Sequence, residues 1–170
     1  VAGGGTGGHI EPAMALAATV LRLAPDSAVT ALGTARGLET SVIPARGFEL
    51  DLVAAVPLPR KPSMDLLRVP LRLRAAVRGA RQAMQARGAD VVVGFGGYVS
   101  LPAYLAARRL RIPFVVHEAN ARPGLANRLG ARRTAWVFTA SPAARLRRAQ
   151  LIGMPLRRSI SQLDRASARA

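Results

Sequence analysis

Short runs of apolar, largely β-branched residues recur along the chain, and each is followed by a longer stretch in which apolar positions return every three or four residues. The runs predict strands at 28–32, 49–53, 91–93, 114–116, 135–138 and 151–152, behind an abbreviated one at residues 1–2. The longer stretches predict helices at 12–22, 38–46, 65–87, 101–110, 123–131 and 142–149. Alternation of this kind marks a parallel sheet, because parallel neighbours need a crossover and the crossover helices cover both faces. The expected fold class is α/β, a Rossmann-like parallel sheet of about seven strands with helices on both faces.

Several predicted helices carry proline near their start, where its missing N–H is harmless, and Ser100 and Ser141 are placed to cap two of them. Within 65–87, Leu73, Val77, Ala80 and Met84 share one helical stripe while Arg74, Arg78 and Arg81 share another. Pro70 is expected to break or start the helix, freeing the apolar turn before it. Residues 57–62 (PLPRKP) form the one long irregular loop.

With 170 residues, half of them apolar, the chain has the size of one domain with a substantial core. It opens on Val1 with a clipped first strand, so residues 1–158 are expected to be the domain of a longer protein. The polar stretch 159–170 then begins a linker toward a further domain. Zero cysteines and two histidines exclude a disulfide framework and a zinc constellation, and no metal or cofactor is expected. No apolar run reaches the roughly 18 residues of a membrane span.

Charge changes the picture more. The net charge is +16, from 25 basic and nine acidic residues, and every basic residue but Lys61 is arginine. Such a field favours anionic lipid surfaces, polyanions or phosphorylated substrates. Only seven aromatic residues are present and none interleaves with the arginines as a base-stacking surface would require, which argues against nucleic acid.

Two predicted strand-to-helix turns are rich in glycine, and in an open parallel sheet ligands gather at that edge. Residues 3–8 (GGGTGG) satisfy GxGxxG through Gly3, Gly5 and Gly8, yet no acid follows the second strand before Glu39, as a ribose-gripping Rossmann site would want. His9-Ile10 stands where a P-loop needs Lys and Ser or Thr. The second turn is 94–100 (GFGGYVS). Together the turns read as a cradle for two phosphates; tight strand–helix packing is the bland alternative for either alone.

GGGTGGHIEPAMALA, GFGGYVSLPAYLAARRLRIPFVVHEANARPGLANRL and GMPLR, in this order and at these separations, resemble the MurG family of peptidoglycan N-acetylglucosaminyltransferases, which make lipid II. The likeness runs over essentially the whole chain and covers the amino-terminal half of that family's two-domain GT-B architecture. It implies transfer of N-acetylglucosamine from UDP-GlcNAc to lipid I at the cytoplasmic face of the bacterial plasma membrane, this half holding the acceptor's diphosphate at the glycine turns, Gly96 and Gly97 included. The resemblance assigns Thr6, Gly7 and Gly8 to the sugar-nucleotide edge of the first turn, with Asn120 and Arg157 reaching the donor. Tyr98, Glu118 and Asn127 become cleft residues. Ala119 stands where many members have Gln, and Met154 where Asn is usual.

Glycosyl transfer needs a base near the acceptor hydroxyl. His9, whose side-chain type ordinarily titrates near neutrality, and Glu118, at the end of an apolar strand, are rival candidates. His117 alternates to the other side and reads as structural. A lipid-linked acceptor also requires contact with the anionic membrane surface, for which Leu66, Leu67, Val69 and Leu71, interleaved with Arg68 and Arg72, are the expected segment.

Overall fold

The computed structural model describes residues 1–35, 37–56 and 65–161, and of residues 65, 66 and 161 the backbone alone. Strands β1 (Ala2–Gly3), β2 (Thr30–Gly33), β3 (Glu49–Leu52), β4 (Val92–Gly96), β5 (Phe114–Glu118), β6 (Val137–Thr139) and β7 (Gln150–Leu151) form one sheet. Its order is β3-β2-β1-β4-β5-β6-β7, and every neighbouring pair is parallel. The chain runs outward from β1 to β3, then returns to pair β4 on the other side of β1. That reversal leaves a crevice between the carboxyl ends of β1 and β4, where the two glycine turns lie.

Helices α1 (Gly7–Leu23), α2 (Glu39–Ala45), α3 (Asp65–Ala86), α4 (Gly97–Leu110) and α5 (Leu125–Ala131) provide the crossovers, and a single turn, α6 (Arg158–Ser161), follows the sheet. Each face has its own core. Ile10, Met14 and Ala17 of α1 and Ile43 of α2 pack with Phe95 on one side. Val77, Ala80 and Met84 of α3 and Ala103, Tyr104 and Ala107 of α4 pack with Val92 and Val116 on the other. The α3 stripes are as the periodicity predicts: Val77, Ala80 and Met84 are buried and Arg74, Arg78 and Arg81 exposed.

The predicted boundaries need four corrections. Residues 142–149 form turns, not a helix; Arg148 takes a left-handed backbone (φ 59°) and only ten residues separate β6 from β7. Pro70 does not break α3, which runs through it. Pro12, Pro70 and Pro102 each occupy the sixth helical residue, so each frees only the carbonyl of the second. Finally, α1 and α4 begin inside the glycine turns, at Gly7 and Gly97, earlier than predicted. Ser100 is therefore no cap: its buried hydroxyl accepts from the Gly96 amide (2.9 Å) and lies 3.0 Å from the Ala2 carbonyl, tying β4 to β1. The predicted loop 57–62 lies outside the described residues.

Candidate functional site

The two glycine turns have different reasons for their glycines. Gly96 and Gly97 adopt φ of 102° and 79°, and a Cβ on Gly97 would stand 2.2 Å from the Gly4 carbonyl oxygen, one on Gly96 2.9 Å from His9 Nε2. The second turn is thus packed against the first, and the packing alternative holds there. Around Gly7 nothing lies within 4 Å of a Cβ position, and at Gly5 and Gly8 the nearest atom is 3.9 Å away. The expected pair of hollows is one open turn, 5–8, backed by a filled one. Replacing Gly97 by alanine combines a disfavoured φ with backbone overlap and is expected to lower stability by about 2–4 kcal/mol, read as the urea midpoint of this chain.

The open turn is suited to an anion. Thr6, the N-cap of α1, makes no side-chain cap, and no acid stands in the first turn. The leading amides of α1 are left for a ligand, at the positive end of the helix dipole.

His9 is half-buried where the two turns meet. Its Nδ1 lies 3.2 Å from the Gly4 carbonyl and 3.1 Å from Thr6 Oγ1. A carbonyl oxygen only accepts, so in the neutral ring Nδ1 carries the proton and Nε2 the lone pair. That nitrogen stands beside Gly96, on the wall of a cavity of about 350 Å³.

Glu118 closes β5 and is 1 % exposed. Its Oε1 accepts from the amide and side chain of Asn120, both at 2.9 Å, and its Oε2 from the Gly124 amide and Asn127 Nδ2, both at 3.0 Å. Both oxygens serve the β5–α5 connection. Asn127 is fully buried: its Nδ2 also donates to the His117 carbonyl (3.1 Å) and its Oδ1 accepts from Tyr104 Oη (2.8 Å). Its placement as a ligand-binding cleft residue is corrected accordingly, since its amide is spent inside the protein. Asn120 is exposed on the cavity wall, and its carbonyl oxygen has no partner among the described residues.

His117 is structural, donating from Nε2 to the Gly153 carbonyl (2.9 Å) and packing on Phe95. Burial holds its imidazole below the usual range, opposed by the Gly153 bond and the charge of Glu118.

The cavity is walled largely by apolar groups: Val56, Val69 and Leu73, Tyr98 and Leu101 of α4, and Leu125 of α5, with His9 and Glu118 among its polar lining. Sequence reasoning missed most of this wall, which only the packing of α3 on α4 assembles. Tyr98 is half-exposed, its ring 3.9 Å from a Cβ position on Gly5. Val69, half-buried, belongs to this wall. Leu67 and Leu71 point outward at 70 % and 68 % exposure, with Arg68 and Arg72 beside them along the helix; the side chain of Leu66 lies outside the described residues.

Arg157 does not line the cavity. Its Nε lies 3.2 Å from Glu11 Oε2, while Arg46 Nη2 holds Glu11 Oε1 at 2.6 Å. Glu11 follows Gly7 and Gly8 by four and three residues on α1, so this clasp keeps Arg157 on the helical side that bears the open turn. Among the described residues no cluster of metal-ligating side chains exists, and no helix is long and apolar enough to cross a membrane.

The chain is a doubly wound α/β domain whose switch point, where such folds gather ligands, offers uncapped helix amides beside an imidazole. Residues 1–139 match the family model described as the glycosyltransferase family 28 N-terminal domain, and the chain belongs to that family. It is 59% identical over 169 residues to the UDP-N-acetylglucosamine–N-acetylmuramyl-(pentapeptide) pyrophosphoryl-undecaprenol N-acetylglucosamine transferase of Streptomyces coelicolor, covering 99% of this chain and 46% of the relative. The enzyme of that name from Saccharopolyspora erythraea is 61% identical over 170 residues, covering 100% of this chain and 45% of the relative. The chain thus spans about half the length of the curated relatives it matches. Among solved structures, Acinetobacter baumannii MurG superposes with a TM-score of 0.75 at 30% identity, over 92% of this chain and 44% of the other. The Neisseria meningitidis UDP-GlcNAc 2-epimerase, at TM-score 0.54 and 20% identity over 78% of this chain and 38% of the other, shares the fold alone.

Proposed function

We propose that this chain is the acceptor-side half of a two-domain transferase that moves N-acetylglucosamine from UDP-GlcNAc to lipid I, forming lipid II. The observation that carries the reading is the identity of about 59% across the whole chain to relatives named for this transfer. The site chemistry agrees with it. The diphosphate of lipid I binds at the first glycine turn, whose Thr6, Gly7 and Gly8 amides at the start of α1 also form the edge that faces the sugar nucleotide, and Gly96, Gly97 and Tyr98 bound the sugar. His9 Nε2 takes the proton of the acceptor hydroxyl as that oxygen forms its bond to C1 of N-acetylglucosamine. The bond from C1 to the diphosphate of UDP breaks with its electron pair, and UDP departs toward a carboxyl-terminal domain. Asn120 and Arg157 meet the donor across the cleft, and Glu118 holds the loop that presents Asn120. The positive end of α1 and the arginine-rich surface supply the electrostatics.

Transfer requires both substrates in one closed cleft. The chain alone is expected to bind a lipid I analogue without turnover, while a protein that continues into the second domain transfers radiolabelled N-acetylglucosamine to it. An absence of transfer in that longer protein would refute the function.

The enzyme works at the cytoplasmic face of the membrane as a peripheral protein, with Leu67 and Leu71 at the bilayer surface and Arg68 and Arg72 among the anionic headgroups. Basic residues near such a surface contribute roughly 1 kcal/mol each. Substituting serine for both Leu67 and Leu71 is expected to weaken binding to vesicles containing anionic lipid by about tenfold or more in a sedimentation assay. Unchanged sedimentation would move the membrane contact elsewhere.

A further inference from the structure

A completely buried carboxylate stands under the open glycine turn. Glu39, the first residue of α2, has no exposed surface. Its Oε1 accepts from the Thr34 amide (3.1 Å) and the Thr34 hydroxyl (2.8 Å), both in its own β2–α2 connection. Its Oε2 reaches 34 residues back along the chain to accept from the Gly5 amide at 3.0 Å. Three glycines make room for it: a Cβ on Gly4, Gly33 or Gly37 would come within 2.7, 2.8 or 2.2 Å of Glu39 side-chain atoms. Gly4, Gly33 and Gly37 are therefore shaped around this carboxylate, each of whose oxygens already accepts from a donor of the protein.

Burial alone would push this carboxyl up. The amides of Gly5, of Glu39 itself and of Thr34, with the Thr34 hydroxyl, outweigh that effect and hold it below the ordinary carboxylate range. It is an ionised acceptor whose donors among the described residues include the Gly5 and Thr34 amides and the Thr34 hydroxyl.

We propose that Glu39 is the positioning residue of the diphosphate site, its Oε2 latching Gly5 so that the amides of Thr6, Gly7 and Gly8 and the imidazole of His9 are presented together. The inference rests on the reading that this turn binds a diphosphate. A turn with five glycines in six residues has much conformational freedom to lose on binding. One charge-assisted bond at its centre settles that freedom beforehand, so less affinity is spent on ordering. The latch also takes the Gly5 amide out of the donor set, which places the anion one to three residues further on, at the helix start.

The two oxygens allow a test. Each variant of this chain is titrated with inorganic pyrophosphate by calorimetry, with the exchange rate of the Gly5 amide followed by NMR and the melting temperature recorded. Glu39→Gln removes the charge and sets an NH₂ group against the donors of one oxygen, and is expected to raise Kd for pyrophosphate by about tenfold or more and to quicken Gly5 exchange. Glu39→Asp keeps the charge but falls one methylene short of Gly5, and is expected to do the same should the glutamine variant not fold. Thr34→Val, which removes one Oε1 donor, is expected to lower the melting temperature yet leave Kd within about twofold. Loss of affinity in Thr34→Val equal to that in the Glu39 variants, or wild-type affinity in both of them, overturns the positioning role. A protected Gly5 amide in a wild-type chain that does not bind pyrophosphate overturns the diphosphate reading and leaves Glu39 purely structural. An unprotected Gly5 amide overturns the latch alone.

Discussion

Glutamine in place of His9 is expected to lower kcat of the two-domain enzyme by about 100- to 10,000-fold, with the KM for lipid I changed far less. The Gly4 carbonyl places the proton of the neutral ring on Nδ1, so Nε2 presents its lone pair where the open turn meets the cavity. Glutamine reaches a similar distance and keeps hydrogen-bonding groups there, but it takes no proton at neutral pH. The loss therefore belongs to the chemical step. Steady-state kinetics at saturating and limiting lipid I provide the check, separating the fall in kcat from any change in KM. A variant within about threefold of wild-type kcat would remove His9 from the reaction.

Glu118→Gln separates the rival base from a brace. Each Glu118 oxygen receives two donors, so an amide NH₂ on either side confronts two N–H groups in a buried place. Buried donors without acceptors cost about 1–3 kcal/mol each, and the chain is expected to lose about 3 kcal/mol or more of stability in urea denaturation. If Glu118 were the base instead, the variant would keep its denaturation midpoint and lose kcat. The bracing role predicts lost stability with activity falling in step with the displacement of Asn120.

The sheet was legible in the sequence because its strands are continuous apolar runs, 91–93 and 114–116 above all, of the kind a parallel sheet buries on both faces. The starts of α1 and α4 were not. Glycine is a poor helix former, and Gly7-Gly8 and Gly97 become helical only because the turns are held, by Glu39 and Ser100 among others. The segment 142–149 shows the converse, with ordinary helix formers confined to a connection that closes as turns. Glu39 had left a trace in the glycines at 33 and 37, but nothing local says that those glycines face a carboxylate. Asn127 and Arg157 looked alike as polar residues near the cleft; packing buried the first in a network and clasped the second to Glu11.

By itself, the sequence determined the alternation of strands and helices, and hence a parallel α/β sheet. It also determined the glycine turns and the position of His9 at the first of them, because periodicity and backbone freedom are local properties. Only the tertiary structure decided which glycines face open space and which face Gly4, His9 or Glu39, which nitrogen of His9 is free, and which carboxylates are already satisfied. Those outcomes depend on contacts between residues tens of positions apart, such as Gly5 with Glu39 and Tyr104 with Asn127, and no local pattern records them.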